Sequence, residues 1–466
     1  MMSVILGLWS AYIVLLILWI IWQKRPPAVA VGWILALAAL PYLGFVIYHF
    51  FGPRRIERRR LQRSKTRDAL SWHAHEHAAN APLSSVGNFS HLIRLGVATT
   101  GLPPATCNVN IITEGGAAFD AIFAAVGAAK RHVHLEYYIF EPDQTGTAFL
   151  DLLVAKAREG VEVRLLVDAL GSNRLRQGFL QPLINAGGKV AFFHPFLLAS
   201  LGFRPVVNLR THRKIVVCDD WTGFVGGVNI TDNENERIHA NAYKDIHLSM
   251  NGDAVFNLQH IFWEDWHYTT GEEPPHTSVP TKPIVGNNIV HILGSGPDTP
   301  WEPIRRVYLS AIATAQHRVW LTTPYFVPDE VAVAELTSAA LRGVDVRIVL
   351  PKKTGHFAVT LAARSYFDEL TAAGVVIHEY TEKMLHSKTM LIDDRLSFIG
   401  SVNFDNRSFK LNFEVCALVF GQEVAQSLAT QFEQDMKGSI TVLPNRRIFP
   451  WVHLAEATAR LLGPLL

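Results

Sequence analysis

The chain has 466 residues, 49% of them hydrophobic and 18% charged, with a mean hydropathy of +0.16; this excludes intrinsic disorder and suggests two to three domain-sized units. The 43 Lys and Arg residues against 41 Asp and Glu leave a formal charge of +2, so the overall balance implies no nucleic-acid partner, and electrostatic arguments have to be local. Cys107, Cys218 and Cys416 form no CxxC pair, which excludes a thiolate zinc site and argues against a disulfide framework.

From Ser3 to Trp22 no residue is charged, and twenty helical residues reach roughly 30 Å, one hydrocarbon thickness. A second apolar run follows over residues 28–51, with Pro41 expected to kink it. Together they predict a transmembrane hairpin within residues 1–52. A cleavable signal peptide is the alternative for the first run, but no basic segment precedes it, and Lys24 and Arg25 come after it. Pro53 to Arg67 then carries eight cations against one acid, where the turn between the runs has two cations. Positive-inside counting therefore puts the large C-terminal part, and by parity the N-terminus, in the cytoplasm. Residues 53–105 read as a basic juxtamembrane segment and linker. The alternating His73, His75 and His77 lack any accompanying ligand cluster and read as solvated linker rather than a metal site.

Beyond residue 105, helical and strand patterns alternate, and they do so twice. Arg158 to Val167 matches Leu341 to Leu350: a helix end, a Gly turn and a buried strand each time. Earlier strands are predicted at His132–Tyr138 and Arg318–Pro324, and later turns at Ala186-Gly187 and Ala373-Gly374. A proline-rich stretch, Pro274 to Pro283, marks the joint, so the two α/β units are residues 106–275 and 276–466.

Each unit carries one chemistry-bearing motif. Thr211-His212-Arg213-Lys214 runs to Asp219, then Gly226-Gly227-Val228-Asn229; Leu385-His386-Ser387-Lys388 runs to Asp393, then Gly400-Ser401-Val402-Asn403. Lys to Asn is 15 residues in both. A spacing of two puts His and Lys on one face of a strand, so two such strands offer two imidazoles and two ammoniums to one pocket, with Asn229 and Asn403 as neutral donors. That charge suits a phosphate. One imidazole can attack phosphorus while the other, protonated, serves the leaving alkoxide. The candidate catalytic set is His212, Lys214, Asp219, His386, Lys388 and Asp393, although Asp219 and Asp393, at strand ends, read as turn residues or cation partners rather than proton donors. Orienting carboxylates are expected at Glu414, 28 residues after His386, and Asp245, 33 after His212. Ser401, where the first motif has Gly227, offers a hydroxyl on one side only.

These motifs resemble the duplicated HKD signature of the phospholipase D superfamily over about residues 106–440. With the apolar N-terminal runs, the basic run, Thr322 to Pro328, Gly400 to Ser408 and the ending Gly463-Pro464-Leu465-Leu466, the chain is similar to the bacterial cardiolipin synthases. The resemblance implies an α/β fold in which two phospholipase D-like halves form one pseudo-twofold catalytic unit behind the hairpin, in the bacterial inner membrane. It implies condensation of two phosphatidylglycerol molecules to cardiolipin and glycerol without metal or nucleotide, through a phosphatidyl-histidine on His212 with His386 as acid and base. The sequence does not distinguish phosphatidylglycerol from phosphatidylethanolamine as second lipid, nor the two histidines' roles. A hydrolytic or headgroup-exchanging phospholipase D is the alternative; a nuclease or an inactive scaffold fits less well, given the apolar runs and the two complete motifs.

Overall fold

The computed structural model describes residues 2–22, 27–39, 83–194, 209–274, 286–299 and 301–463. The end of the second apolar run, the basic run, the histidine-rich stretch, the joint at 275–283 and the last three residues lie outside these. Two units are distinguished, residues 1–61 with 199–204, and the remainder. The first holds uncharged helices over Met2–Trp22 and Pro27–Ala39, in which Ile20 and Leu37 are buried. The described side chains of the first helix run from Ala11 to Trp22, about 18 Å of helix; among the described residues no helix is long and apolar enough to cross a membrane.

Among the described residues, the second unit is built on one 15-stranded sheet. Its first half contributes β1 (Ala105–Ile112), β2 (His132–Tyr137), β3 (Glu162–Asp168), β4 (Lys189–Phe193), β5 (Ile215–Cys218), β6 (Thr222–Gly226) and β7 (His247–Gly252). The second half adds β8 (Asn288–Ser295), β9 (Arg318–Thr322), β10 (Phe326–Val327), β11 (Asp345–Pro351), β12 (Val376–Tyr380) and β13 (Thr389–Ile392). It continues with β14 (Leu396–Gly400), β15 (Phe404–Asp405), β16 (Glu414–Phe420) and β17 (Ser439–Thr441); β10 and β15 form a separate pair.

The strand order, β17-β12-β11-β9-β13-β14-β16-β8-β1-β7-β6-β5-β2-β3-β4, reads the same outward from the antiparallel β1–β8 pair, with β17 as an extra edge strand. In each half three strands run parallel, β2-β3-β4 and β9-β11-β12. Helices connect them and cover the sheet, which explains their unbroken apolar runs. The duplicated Gly turns follow from geometry: Gly160 and Gly343, after helices Gln144–Arg158 and Glu330–Leu341, sit at φ 89° and 88°, where a side chain would be strained.

Alternation along β16 shows the two layers. Val415, Ala417 and Val419 join a core with helices Ala254–Thr270 and Gln422–Lys437, one from each half, while Cys416, Leu418 and Phe420 face the helices on the other side.

Candidate active site

The two motifs converge at the ends of β5 and β13. His-x-Lys is not part of either strand, as the spacing suggested, but an extended lead-in that pairs with the opposite half. The His212 amide donates to the Phe413 carbonyl and the Phe413 amide to Arg210; the His386 amide donates to Lys244 and the Lys244 amide to Met384. This exchange sets the site. The residue following each bridge partner is a carboxylate, and it meets the other half's histidine.

His212 Nδ1 lies 3.1 Å from Glu414 Oε2, and His386 Nδ1 lies 2.6 Å from Asp245 Oδ2. The expected orienters are thus present, but crossed relative to their sequence order: Glu414 serves His212, and Asp245 serves His386. A carboxylate only accepts, so each Nδ1 carries the proton and Nε2 is left for the cavity. Burial acts against ionising Glu414, yet His212, Lys214 and the Ser401 hydroxyl hold its pKa below the ordinary value. Asp245 is likewise held low against burial by Lys388 and His386.

The lysines stand behind the histidines rather than in the cavity wall. Lys214 Nζ donates to the His212 carbonyl at 2.7 Å, and Lys388 Nζ to the His386 carbonyl, with Asp245 Oδ2 3.6 Å away. Burial, with Lys388 nearby, brings Lys214 down to about 7, and burial lowers Lys388 too. Burial also holds His212 below its ordinary value and, with Lys388, takes His386 to about 4. Burial in the site therefore works against positive charge, and a bound anion would offset it.

Asp219 and Asp393 are structural. Asp219 accepts the amides of Lys130, Arg131 and His132, and Asp393 those of Gln316, His317 and Arg318. Each fastens a tight turn, at φ 55° and 51°, to the start of β2 or β9. That is the far end of the strand from the histidine, seven residues and roughly 23 Å along the extended chain. They belong to the motif but not to the cavity.

Ser401 is likewise spent within the protein: its hydroxyl donates to Glu414 Oε2 at 2.5 Å and accepts the Val415 amide. The first half needs Gly227 there, because a Cβ would sit within 2.5 Å of the Asp245 Cγ. Gly with Asp and Ser with Glu are two fillings of one space.

His212, His386, Asn229 and Asn403 line one cavity of about 590 Å³. Asn229 Nδ2 donates to Glu234 at 2.7 Å and to the Gly227 carbonyl at 3.5 Å, so both of its N–H groups have partners within the protein. Sequence reasoning missed Glu234, Arg210, Arg407 and Tyr138, which share the cavity wall. Arg407 falls inside the Gly400 to Ser408 motif, whose pattern assigns it no role. Glu234 has no repeat counterpart, since Ser408 stands five residues after Asn403 where Glu234 stands five after Asn229. Burial, with Asp245 beside it, raises Glu234 to about 8. Its Oε1 lies 3.7 Å from His386 Nδ1; Asp405, also in the cavity wall, is raised by burial to about 7, with Glu414 adding to the effect. Glu234, Asp245 and His386 place ligand atoms within 4.8 Å of one another, which a cation could use. The ammonium of Lys388 already occupies that neighbourhood.

A family model described as a cardiolipin synthase, phospholipase D-like domain matches residues 122–266 and 308–436. A cardiolipin synthase of Geobacillus kaustophilus (strain HTA426) is 37% identical over 472 residues, covering 98% of this chain and 93% of its own. Cardiolipin synthase 2 of Bacillus anthracis is 37% identical over 456 residues, covering 95% and 88%. Among solved structures, phosphatidylserine synthase of Haemophilus influenzae Rd KW20 superposes with a TM-score of 0.60 at 14% identity, over 81% of this chain and 100% of that one. That likeness shows a shared fold.

Proposed function

The chain belongs to the cardiolipin synthase family with phospholipase D-like domains, and from that premise we propose how its cavity transfers a phosphatidyl group between two phosphatidylglycerol molecules, giving cardiolipin and glycerol. The observation that carries the mechanism is the crossed pair of dyads, which presents two imidazoles, each fixed through Nδ1, to one cavity.

His212 is the nucleophile. Its Nε2 forms a bond to phosphorus as the bond from phosphorus to the departing glycerol oxygen breaks, and His386 gives that oxygen its proton. The second lipid's terminal hydroxyl then attacks phosphorus, His386 takes its proton, and the bond to His212 breaks. The phosphate's negative charge raises the pKa of the buried imidazoles and ammoniums, so substrate itself equips His386 to act as the acid. The Glu234 carboxyl, raised by burial and 3.7 Å from His386 Nδ1, supports this division of roles. Lys214 and Lys388, fixed to the carbonyls of the two histidines, supply positive charge from behind.

The two N-terminal apolar runs form a hairpin in the cell membrane, with the catalytic unit on the cytoplasmic side. The uncharged Met2–Trp22 helix and the eight cations of residues 53–67 support this. Cysteine accessibility before and after the hairpin in intact spheroplasts tests the topology.

Incubation of the purified protein with phosphatidylglycerol tests the reaction: cardiolipin plus glycerol is expected, whereas phosphatidic acid would indicate hydrolysis. His386→Ala should still form phosphatidyl-histidine slowly at position 212, and His212→Ala should form none there. Accumulation on residue 386 instead would reverse the assignment.

A further inference from the structure

The last described helix, Pro450–Leu461, is amphipathic in the inverted sense. Its inward side carries Glu456 and Ala459, both buried, with Glu456 paired to Arg446 and thereby connected to Asp368. Its outward side carries Trp451, Leu454 and Leu461, which are 65%, 68% and 79% exposed. Their spacings of three and seven place them on one helical face. Phe449 stacks on Trp451 at 4.5 Å and is itself 64% exposed, extending the apolar strip.

The helix adjoins elements that form the cavity wall. The helix packs on Phe357–Arg364, whose Val359 lines the cavity together with the preceding Gly355 and His356, and whose Phe357 is 77% exposed. At the other end of the C-terminal helix, a Cβ on Gly463 would meet Val327, another cavity residue, at 3.3 Å. Charge points the same way. Residues 352–364 and 446–462 together hold six cations and one acid. Arg364, Arg446 and Arg460 pair with carboxylates. Lys352, Lys353 and Arg447 have none within salt-bridge distance among the described residues.

We propose that this strip is a membrane-docking surface, its occupant the interfacial region of an anionic phospholipid bilayer, seated so that the cavity mouth meets the lipid headgroups. Aromatic and aliphatic side chains outward, with unpaired cations at the margin, are what such an interface takes up. The choice of a bilayer over another protein surface rests on the phospholipid-transfer reading of the adjoining cavity.

The three native cysteines are buried, so Leu454→Cys in the full-length chain can be labelled selectively with an environment-sensitive fluorophore. The control is Ser427→Cys, exposed on the helix covering the opposite face of the sheet. In phosphatidylglycerol vesicles with brominated acyl chains, the label at 454 should be quenched by bromine and shielded from aqueous iodide, and the label at 427 the reverse. A label at 454 that iodide quenches, or one that is shielded from both quenchers and thus covered by protein, overturns the proposal. Trp451→Ser with Leu454→Ser should raise the apparent KM for vesicle lipid on the order of tenfold, while turnover of dispersed short-chain phosphatidylglycerol stays unchanged; an equal loss on both substrates overturns it. Bromine quenching at 454 in a protein that makes no cardiolipin would refute the reading of the cavity and not that of the surface. Cardiolipin synthesis without quenching would do the opposite.

Discussion

Gly227→Ser puts into the first half the residue that the second half carries at Ser401. Gly227 is not among the residues with positive φ, so the backbone accepts a side chain and the effect falls on Asp245. A Cβ there lies within 2.5 Å of the carboxylate carbon, and ordinary contact requires the carboxylate to withdraw by about 1 Å. That displacement stretches its 2.6 Å hydrogen bond to His386 Nδ1 out of range. Losing one charge-assisted hydrogen bond costs about 1.5–3 kcal/mol, or a fall in kcat of about 10- to 150-fold if the interaction is needed in the transition state. Adding Asp245→Glu supplies the longer side chain that accepts the hydroxyl, as Glu414 accepts Ser401. The double variant should therefore regain most of the activity that Gly227→Ser loses. The assay is conversion of phosphatidylglycerol to cardiolipin at saturating lipid, with thermal unfolding as the folding control. Wild-type turnover in Gly227→Ser, or a double variant no better than the single in proteins of equal stability, would refute the reasoning.

Because the dyads are crossed, Glu414→Gln should act on the nucleophile and slow formation of the phosphohistidine, whereas Asp245→Asn should act on the acid and base; each should lower kcat on the order of 10²- to 10⁴-fold, and rapid-quench kinetics separates the two. Glu234→Gln tests the raised carboxyl. A folded-state pKa of about 8 against an ordinary 4.5 means that the folded protein holds the proton more tightly, so Glu234 weakens the fold progressively as pH rises from 4.5 to 8. The variant should therefore unfold at a higher temperature than wild type at pH 8 and at the same temperature near pH 4.5, and an unchanged difference across that range would contradict the assignment. EDTA should leave cardiolipin synthesis intact; a strong loss restored by a divalent cation would assign Glu234, Asp245 and His386 to metal binding instead.

The duplication was legible because it preserves what the backbone needs: glycines at φ 88° and 89° after equivalent helices, and apolar runs where strands are covered on both faces. The motif residues were legible because they occur twice. What escaped has the same cause. Counting along the chain assigns Glu414 to His386 and Asp245 to His212, since sequence order carries no sign that each lead-in crosses to pair with the other half. Glu234 went unnoticed because Ser408 stands in its place in the second half, and a search for repeated residues passes over a residue present once. The lysines' position behind the histidines, and Ser401's engagement with Glu414, depend on side-chain directions that spacing does not specify.

The exchange of backbone pairing between the lead-ins has a consequence for how such a chain can change over evolutionary time. Neither repeat contains a working histidine with its own carboxylate, so the two are complementary half-sites rather than two sites in tandem. A substitution near Asp245 is felt by a residue encoded 141 positions later, and one near Glu414 by a residue 202 positions earlier. Divergence of one repeat is thereby constrained by the other, and the Gly227–Asp245 and Ser401–Glu414 solutions can each drift only as matched sets.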